Sequence, residues 1–189
     1  MHEELKKIID NSSRITFFGG AGVSTESGLP DFRSENGLYR AMQAYGRSPE
    51  EMLSYSFFRC NTATFFDYYK KHMINLEVRP NKAHIALAEL EKKGKLAAVV
   101  TQNIDGLHQM AGSRRVHELH GSVLRNYCMD CGAFYDLNYI MDEGNCRDSK
   151  GKQTGIPYCN KCGGIVKPDV VLYEEALDQD VIEKAVDDI

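Results

Sequence analysis

An α/β fold with a parallel sheet and helices on both faces is what the chain's alternation of apolar strands and periodic helices predicts. Three observations carry this. Ile15 to Phe18 is a short apolar run that passes directly into the glycine-rich turn GGAGVSTESG. Leu96 to Thr101, LAAVVT, is unbroken and apolar, as a strand covered on both faces should be. Between them, Asn81 to Lys93 has helical periodicity and a glycine stop at Gly94.

Taken in order, residues 3–10 predict a short helix with Leu5, Ile8 and Ile9 inward, broken by Asn11, Ser12 and Ser13. Ser48 and Pro49 supply an N-cap and a first-turn proline, so a helix starts there. Residues 62–75 predict an aromatic-rich helix containing Phe65, Phe66, Tyr68 and Tyr69. In the helix of residues 81–93, Ala83, Leu87 and Leu90 are expected to face inward. Val116 to His120 predicts a further strand, residues 165–173 another, and residues 178–189 a closing helix. Two stretches break the rhythm, a helical insertion at 37–75 and a cysteine-containing segment at 125–164. They are expected to form a smaller lobe beside a large one made of 1–36, 76–124 and 165–189.

Composition narrows the function. The formal net charge is −4, with 23 basic and 27 acidic residues, so no polybasic face for nucleic acid or anionic membrane is expected. No apolar run is long enough to span a membrane, and the charged start MHEELKK lacks the apolar core of a secretory signal. A cytoplasmic protein is expected. Four of the six cysteines fall in CxxC pairs, Cys128/Cys131 and Cys159/Cys162, each pair followed by glycine. That pattern predicts one tetrahedral four-cysteine zinc ribbon; four protein ligands leave no open position, so the metal is structural. Cys146 is read as a non-ligand and Cys60 as core.

Gly19, Gly20, Ala21 and Gly22 after a strand suit close approach of a backbone to a pyrophosphate, as in a Rossmann-like nucleotide-binding sheet. The third glycine of the usual dinucleotide pattern is Thr25, and no acidic residue follows at the ribose-binding distance. TQNIDG, Thr101 to Gly106, lies just beyond a strand's C-terminal end, where α/β folds bind ligands, although an Asn/Asp turn capping the next helix reads equally well from these residues alone. In His117-Glu118-Leu119-His120-Gly121 the histidines are three apart, so this is not the four-apart pair of a helical zinc protease.

Taken together, GAGVSTESGLPDFRS (Gly20 to Ser34), TQNIDG, His120-Gly121 and the two CxxC pairs resemble the sirtuins, NAD-dependent protein-lysine deacylases. The resemblance implies an enzyme that transfers the acyl group of an acylated lysine to ADP-ribose, consuming NAD and releasing nicotinamide. It implies NAD contacts at Gly20, Ala21, Gly22, Ser24, Asp31, Phe32, Arg33, Gln102, Asn103 and Asp105. His120 would be the general base, Asn103 would position the ribose and a water, and Val170, Val171, Phe66 and Tyr69 would lie on the substrate side. Val166 to Tyr173 resembles the segment beside the acyl-lysine peptide. Where the family continues with an aromatic, Gly and Glu, this chain has Tyr173, Glu174 and Glu175. The resemblance stops short of the family's later strands, which hold the adenosine half of NAD, so weak NAD binding and little turnover are expected of these 189 residues alone. Rival expectations are a protein mono-ADP-ribosyltransferase using the same NAD site and an inactive acyl-lysine-binding or zinc scaffold.

Overall fold

The computed structural model describes residues 2–29, 42 and 44–189. It comprises two compact units, one of Met1–Pro30, Val78–Leu119 and Leu177–Ile189, the other of Asp31–Glu77 and His120–Ala176.

The first unit carries a parallel sheet of order β1-β2-β3, with β1 Ile15–Gly19, β2 Leu96–Thr101 and β3 Val116–Glu118. Phe17 pairs with Val99, and Val99 with Val116, so β2 is central. Ala98, Val99 and Val100 are buried, as the apolar run requires. Helices Lys82–Lys92 and Leu107–Ala111 precede and follow β2, and Gln179–Asp187 packs on β3. Asn81 caps the first of these by accepting from the Ala83 N–H at 2.8 Å. Its buried stripe runs through His84 and Ala88, and Ala83 is exposed, so the inward face is offset by one position from the one expected. Helix His2–Asn11 differs more. Leu5 and Ile8 are 55% and 60% exposed, and the helix is held at its end, where the Lys95 ammonium donates to the Ile9 and Asp10 carbonyls.

The second unit contains an aromatic helical core and an antiparallel sheet of order β5-β4-β6, with β4 Gly121–Cys128, β5 Phe134–Asp136 and β6 Val166–Val170. Ser48 accepts from the Glu51 N–H and starts helix Pro49–Met52; Ser54 accepts from the Phe57 N–H and starts Tyr55–Cys60. Helix Thr62–His72 follows, shorter than expected. Phe58, Phe65, Phe66 and Tyr69 are buried together, with Phe65 stacked on Tyr69 and edge-on to Phe58 and Phe66.

Three expectations are corrected here. Residues 120–124 and 165–176, expected in the large lobe, fall in the second unit, where β6 pairs antiparallel with β4, Cys128 opposite Val166 and Gly121 opposite Val170. The strand from Val116 ends at Glu118, and Leu119 and His120 form a turn. Cys60, at the end of its helix, is exposed.

Candidate functional site

In the first unit the C-terminal ends of β1 and β2 meet. Gly19 pairs with Thr101, and the Gln102 N–H donates to the Gly19 carbonyl at 3.0 Å. The glycine-rich loop and TQNIDG therefore emerge at the same edge, the usual ligand edge of a parallel sheet. A Cβ on Gly20 would lie 3.2 Å from the Gln102 side-chain oxygen, so this approach is tight. Gly20 leads into a 3₁₀ helix, Ala21–Ser27, which ends at Gly28 with φ 90°. The helix turns Ser24 inward, where it is 2% exposed.

Ser24 joins the two loops. Its hydroxyl donates to Asp105 Oδ2 at 2.7 Å and accepts from Asn103 Nδ2 at 2.9 Å. Asp105 Oδ1 accepts from the Leu107 N–H at 2.9 Å, and the Asn103 N–H donates to Thr101 Oγ1 at 3.0 Å. Asn103 is buried and Gln102 exposed. Three of the expected site residues thus form one hydrogen-bonded network, in which Ser24 fixes both the amide and the carboxylate.

Behind this network lies a pair that the sequence did not flag. His84 and His108 are buried with ring centroids 4.7 Å apart. His84 Nδ1 accepts from the Asn81 N–H, and the Asn81 amide donates to the Val23 carbonyl at 2.7 Å and Ser27 Oγ at 3.0 Å. Helix Lys82–Lys92 is thereby tied to the glycine-loop helix. Burial, and then the neighbouring His84, push the His108 pKa down to about 4. Burial lowers that of His84 against the opposing pull of Asp105. Both rings are neutral at neutral pH.

His117 stands apart from this chemistry. Its Nε2 lies 2.7 Å from Asp188 Oδ2, and Arg115 Nε is 2.6 Å from the same carboxylate, a link between β3 and helix Gln179–Asp187.

In the second unit, His120 leads into Gly121, which has φ 76°. A Cβ on Gly121 would overlap the Asp169 carbonyl oxygen, so only glycine lets β4 start there. The Val171 N–H donates to the His120 carbonyl at 3.0 Å, so the structure brings the expected base and the expected peptide-side segment together. Phe66 and Tyr69 are fully buried, and the Tyr69 hydroxyl has no hydrogen-bond partner among the described residues. Burial, then Asp169, pushes that phenol's pKa well above its ordinary value. Asp31, Phe32 and Arg33 lie outside the described residues.

The four CxxC sulfurs lie within 4.8 Å of one another. Four sulfurs at a Zn–S distance of about 2.3 Å would be about 3.8 Å apart, so a tetrahedral zinc fits with small adjustment. Each pair sits on a matching turn, in which the Gly132 N–H donates to the Cys128 carbonyl and the Gly163 N–H to the Cys159 carbonyl. The Tyr135 hydroxyl lies 3.0 Å from Cys159 Sγ and donates to Asn160 Oδ1 at 2.7 Å. Such outer contacts hold a ligand in place. Cys146 is buried and outside the cluster.

A parallel sheet with two ligand loops at one edge, joined in sequence to a four-cysteine ribbon unit, defines a nucleotide-binding α/β protein with a structural metal module. The comparisons give the family. The Sir2 family pattern matches residues 20–189, and the chain belongs to that family. It is 58% identical over 183 residues to a protein of Clostridium acetobutylicum named NAD-dependent protein deacetylase, covering 97% of this chain and 71% of that one. A Clostridium perfringens protein of the same name is 59% identical, with 98% and 72% covered. Among solved structures, one from a study of the structural basis of sirtuin substrate affinity superposes with TM-score 0.85 at 34% identity, covering all of this chain and 72% of that one. Another, described as Sir2 with a p53 peptide and NAD+, gives TM-score 0.82 at 33% identity, with 100% and 71% covered.

Proposed function

We propose that this protein is an NAD-dependent protein-lysine deacetylase that passes the acyl group to ADP-ribose and releases nicotinamide. The Ser24–Asn103–Asp105 network carries this reading, because it holds an amide and a carboxylate in fixed orientation at the ligand edge of the sheet. NAD is consumed as co-substrate and supplies the electrophilic ribose carbon that the acyl oxygen attacks.

The roles of the chain's own groups are those that membership of the Sir2 family implies, and their chemistry suits them. The N–H groups around Gly20, Ala21 and Gly22 bind phosphate; Gln102 and Asn103 orient the ribose; Asp105 holds the nicotinamide carboxamide. Asp31, Phe32 and Arg33 complete the NAD contacts, with Phe32 keeping water from the cationic centre. His120 removes a proton from a ribose hydroxyl, a task for which imidazole is suited near neutral pH. Val170 and Val171 flank the acyl-lysine, and Phe66 and Tyr69 shape the acyl end. Cys128, Cys131, Cys159 and Cys162 hold one zinc, which contributes to folding and not to the reaction. The substrates are acylated-lysine proteins or peptides. The protein acts in the cytoplasm, where a reducing milieu keeps thiols free; all six cysteines are unbridged.

The test is a pair of variants assayed for acetyl-peptide deacetylation and nicotinamide release. In a chain carried on to the full length of its relatives, His120→Ala should lose about 10²- to 10⁴-fold in rate with the fold intact. Ser24→Ala should impair nicotinamide release, since Asn103 and Asp105 lose their shared tether. Wild-type turnover in both would sink the assignment.

A further inference from the structure

Asn81 has every one of its polar groups engaged. Its side-chain oxygen caps helix Lys82–Lys92, accepting from the Ala83 N–H at 2.8 Å, and its backbone N–H donates to His84 Nδ1 at 3.3 Å. Its carbonyl accepts from the Ile85 N–H at 3.2 Å. These three bonds serve the helix. The side-chain amide nitrogen serves the glycine loop instead, donating to the Val23 carbonyl at 2.7 Å and to Ser27 Oγ at 3.0 Å, 58 and 54 residues away in sequence. Those two acceptors bracket Ser24. A cap needs only the oxygen, and Ser or Asp would close the helix as well as Asn does. Only the amide brings two further N–H groups to give away.

The loop needs such a tie, because the 3₁₀ helix Ala21–Ser27 is a weak frame in itself. Its type of hydrogen bond has poor geometry, and Gly20 gives it no side-chain cap. A Cβ at Gly22 would meet nothing within 4 Å, so no packing holds that turn either. Among the described residues, side chains hold this helix from outside at two places. Ser24 is held by Asn103 and Asp105 beyond β2, and the turn around it by Asn81. The helix that Asn81 caps packs on β2 and on helix Leu107–Ala111, with His84 and Ala88 buried, so the second tie runs to a fixed element.

We propose that Asn81 is a positioning residue for NAD, its amide holding the Ser24 turn and the glycine-loop N–H groups in the arrangement that receives the cofactor. The inference rests on the NAD-dependent reading made above. Both amide hydrogens are already given to the loop, so Asn81 acts through the loop and not on the reacting atoms. It sets the fraction of molecules whose loop stands ready, and apparent affinity falls in proportion to that fraction. Its effect therefore belongs in NAD affinity and leaves peptide affinity alone.

The experiment uses the zinc-loaded chain carried on to the full length of its relatives, comparing wild type with Asn81→Ser, Asn81→Ala, Ser27→Ala and the Asn81→Ser/Ser27→Ala double variant. NAD Kd is read by calorimetry, NAD KM, peptide KM and kcat by nicotinamide release with an acetyl-lysine peptide, and folding by thermal melting. Asn81→Ser keeps a cap and loses the tie; it should weaken NAD binding about 5- to 30-fold, the range for losing two neutral hydrogen bonds. NAD KM should rise with it, while peptide KM and kcat stay within about twofold. Asn81→Ala should weaken NAD binding equally but melt at a lower temperature, because it alone also loses the cap. Ser27→Ala should weaken NAD binding about 2- to 5-fold, and the double variant should be no worse than Asn81→Ser, because both break one tie. Should Asn81→Ser fail to fold, Ser27→Ala decides. Wild-type NAD affinity in the folded variants, or NAD KM and peptide KM rising in step, would overturn the proposal and leave the deacetylase reading standing. An unsubstituted protein that binds the acetyl-lysine peptide but neither binds nor consumes NAD would overturn both.

Discussion

Stability should fall on mild acidification because of His108, by an amount that follows from its burial. The side chain is 1% exposed, and burial with the adjacent His84 brings its pKa from 6.5 down to about 4. The unfolded chain therefore binds a proton below about pH 6.5 that the folded chain refuses until about pH 4. This contribution is fully present above the unfolded pKa, declines as pH falls through that window, and is exhausted below the folded pKa. From about pH 7.5 to about pH 5 the linkage amounts to about 2 kcal/mol. His84, lowered for the same reason, adds in the same direction. His108→Leu removes the titration together with two buried ring nitrogens that have no hydrogen-bond partner among the described residues, so it should cost little at neutral pH. Urea unfolding at both pH values, with zinc retention monitored in parallel, gives the comparison. The wild type should lose about 2 kcal/mol more than His108→Leu on acidification. Equal losses would refute the reasoning and mean that the buried pair does not titrate as described.

The remaining predictions concern the metal and the acyl group. Folded protein should contain one tightly bound zinc, and a strong chelator should unfold the second unit, because structural zinc is itself folding free energy; well under one zinc in folded protein by metal analysis would contradict this. Acetyl-lysine should be removed faster than succinyl-lysine, since Phe66 and Tyr69 offer an acidic acyl chain no cation and burying an unpaired carboxylate is costly. Competition between the two peptides, followed by mass spectrometry, checks it, and faster succinyl removal would overturn that reading of the helix.

What could be read from the sequence was what local chemistry dictates. LAAVVT has no polar position to face water, so β2 had to be covered on both faces. The paired CxxC-Gly turns specify their own geometry, and the four sulfurs converge accordingly. Ser48-Pro49 and Asn81 declared helix starts through their caps. What could not be read depended on partners distant in the chain. Nothing in VKPDV says whether it joins a parallel sheet or pairs antiparallel with β4; Gly121, which yields space to the Asp169 carbonyl, settles it. The helical face at 82–92 was misplaced by one position because His84, a polar residue, occupies the buried stripe. His108 gave no signal, since a buried imidazole is distinguishable from an exposed one only by what packs on it. Leu5 and Ile8 show the converse, an apolar period that the described fold leaves exposed.

The central claim is that this chain couples lysine deacylation to cleavage of NAD. A single reaction of purified protein with NAD and an acetyl-lysine peptide tests it, with peptide, nicotinamide and ADP-ribose products quantified together by mass spectrometry. The account predicts equal amounts of deacetylated peptide, nicotinamide and acetylated ADP-ribose, all lost in His120→Ala. Nicotinamide release with ADP-ribose attached to protein and the acetyl-lysine untouched, or peptide bound with no NAD consumed, would contradict it.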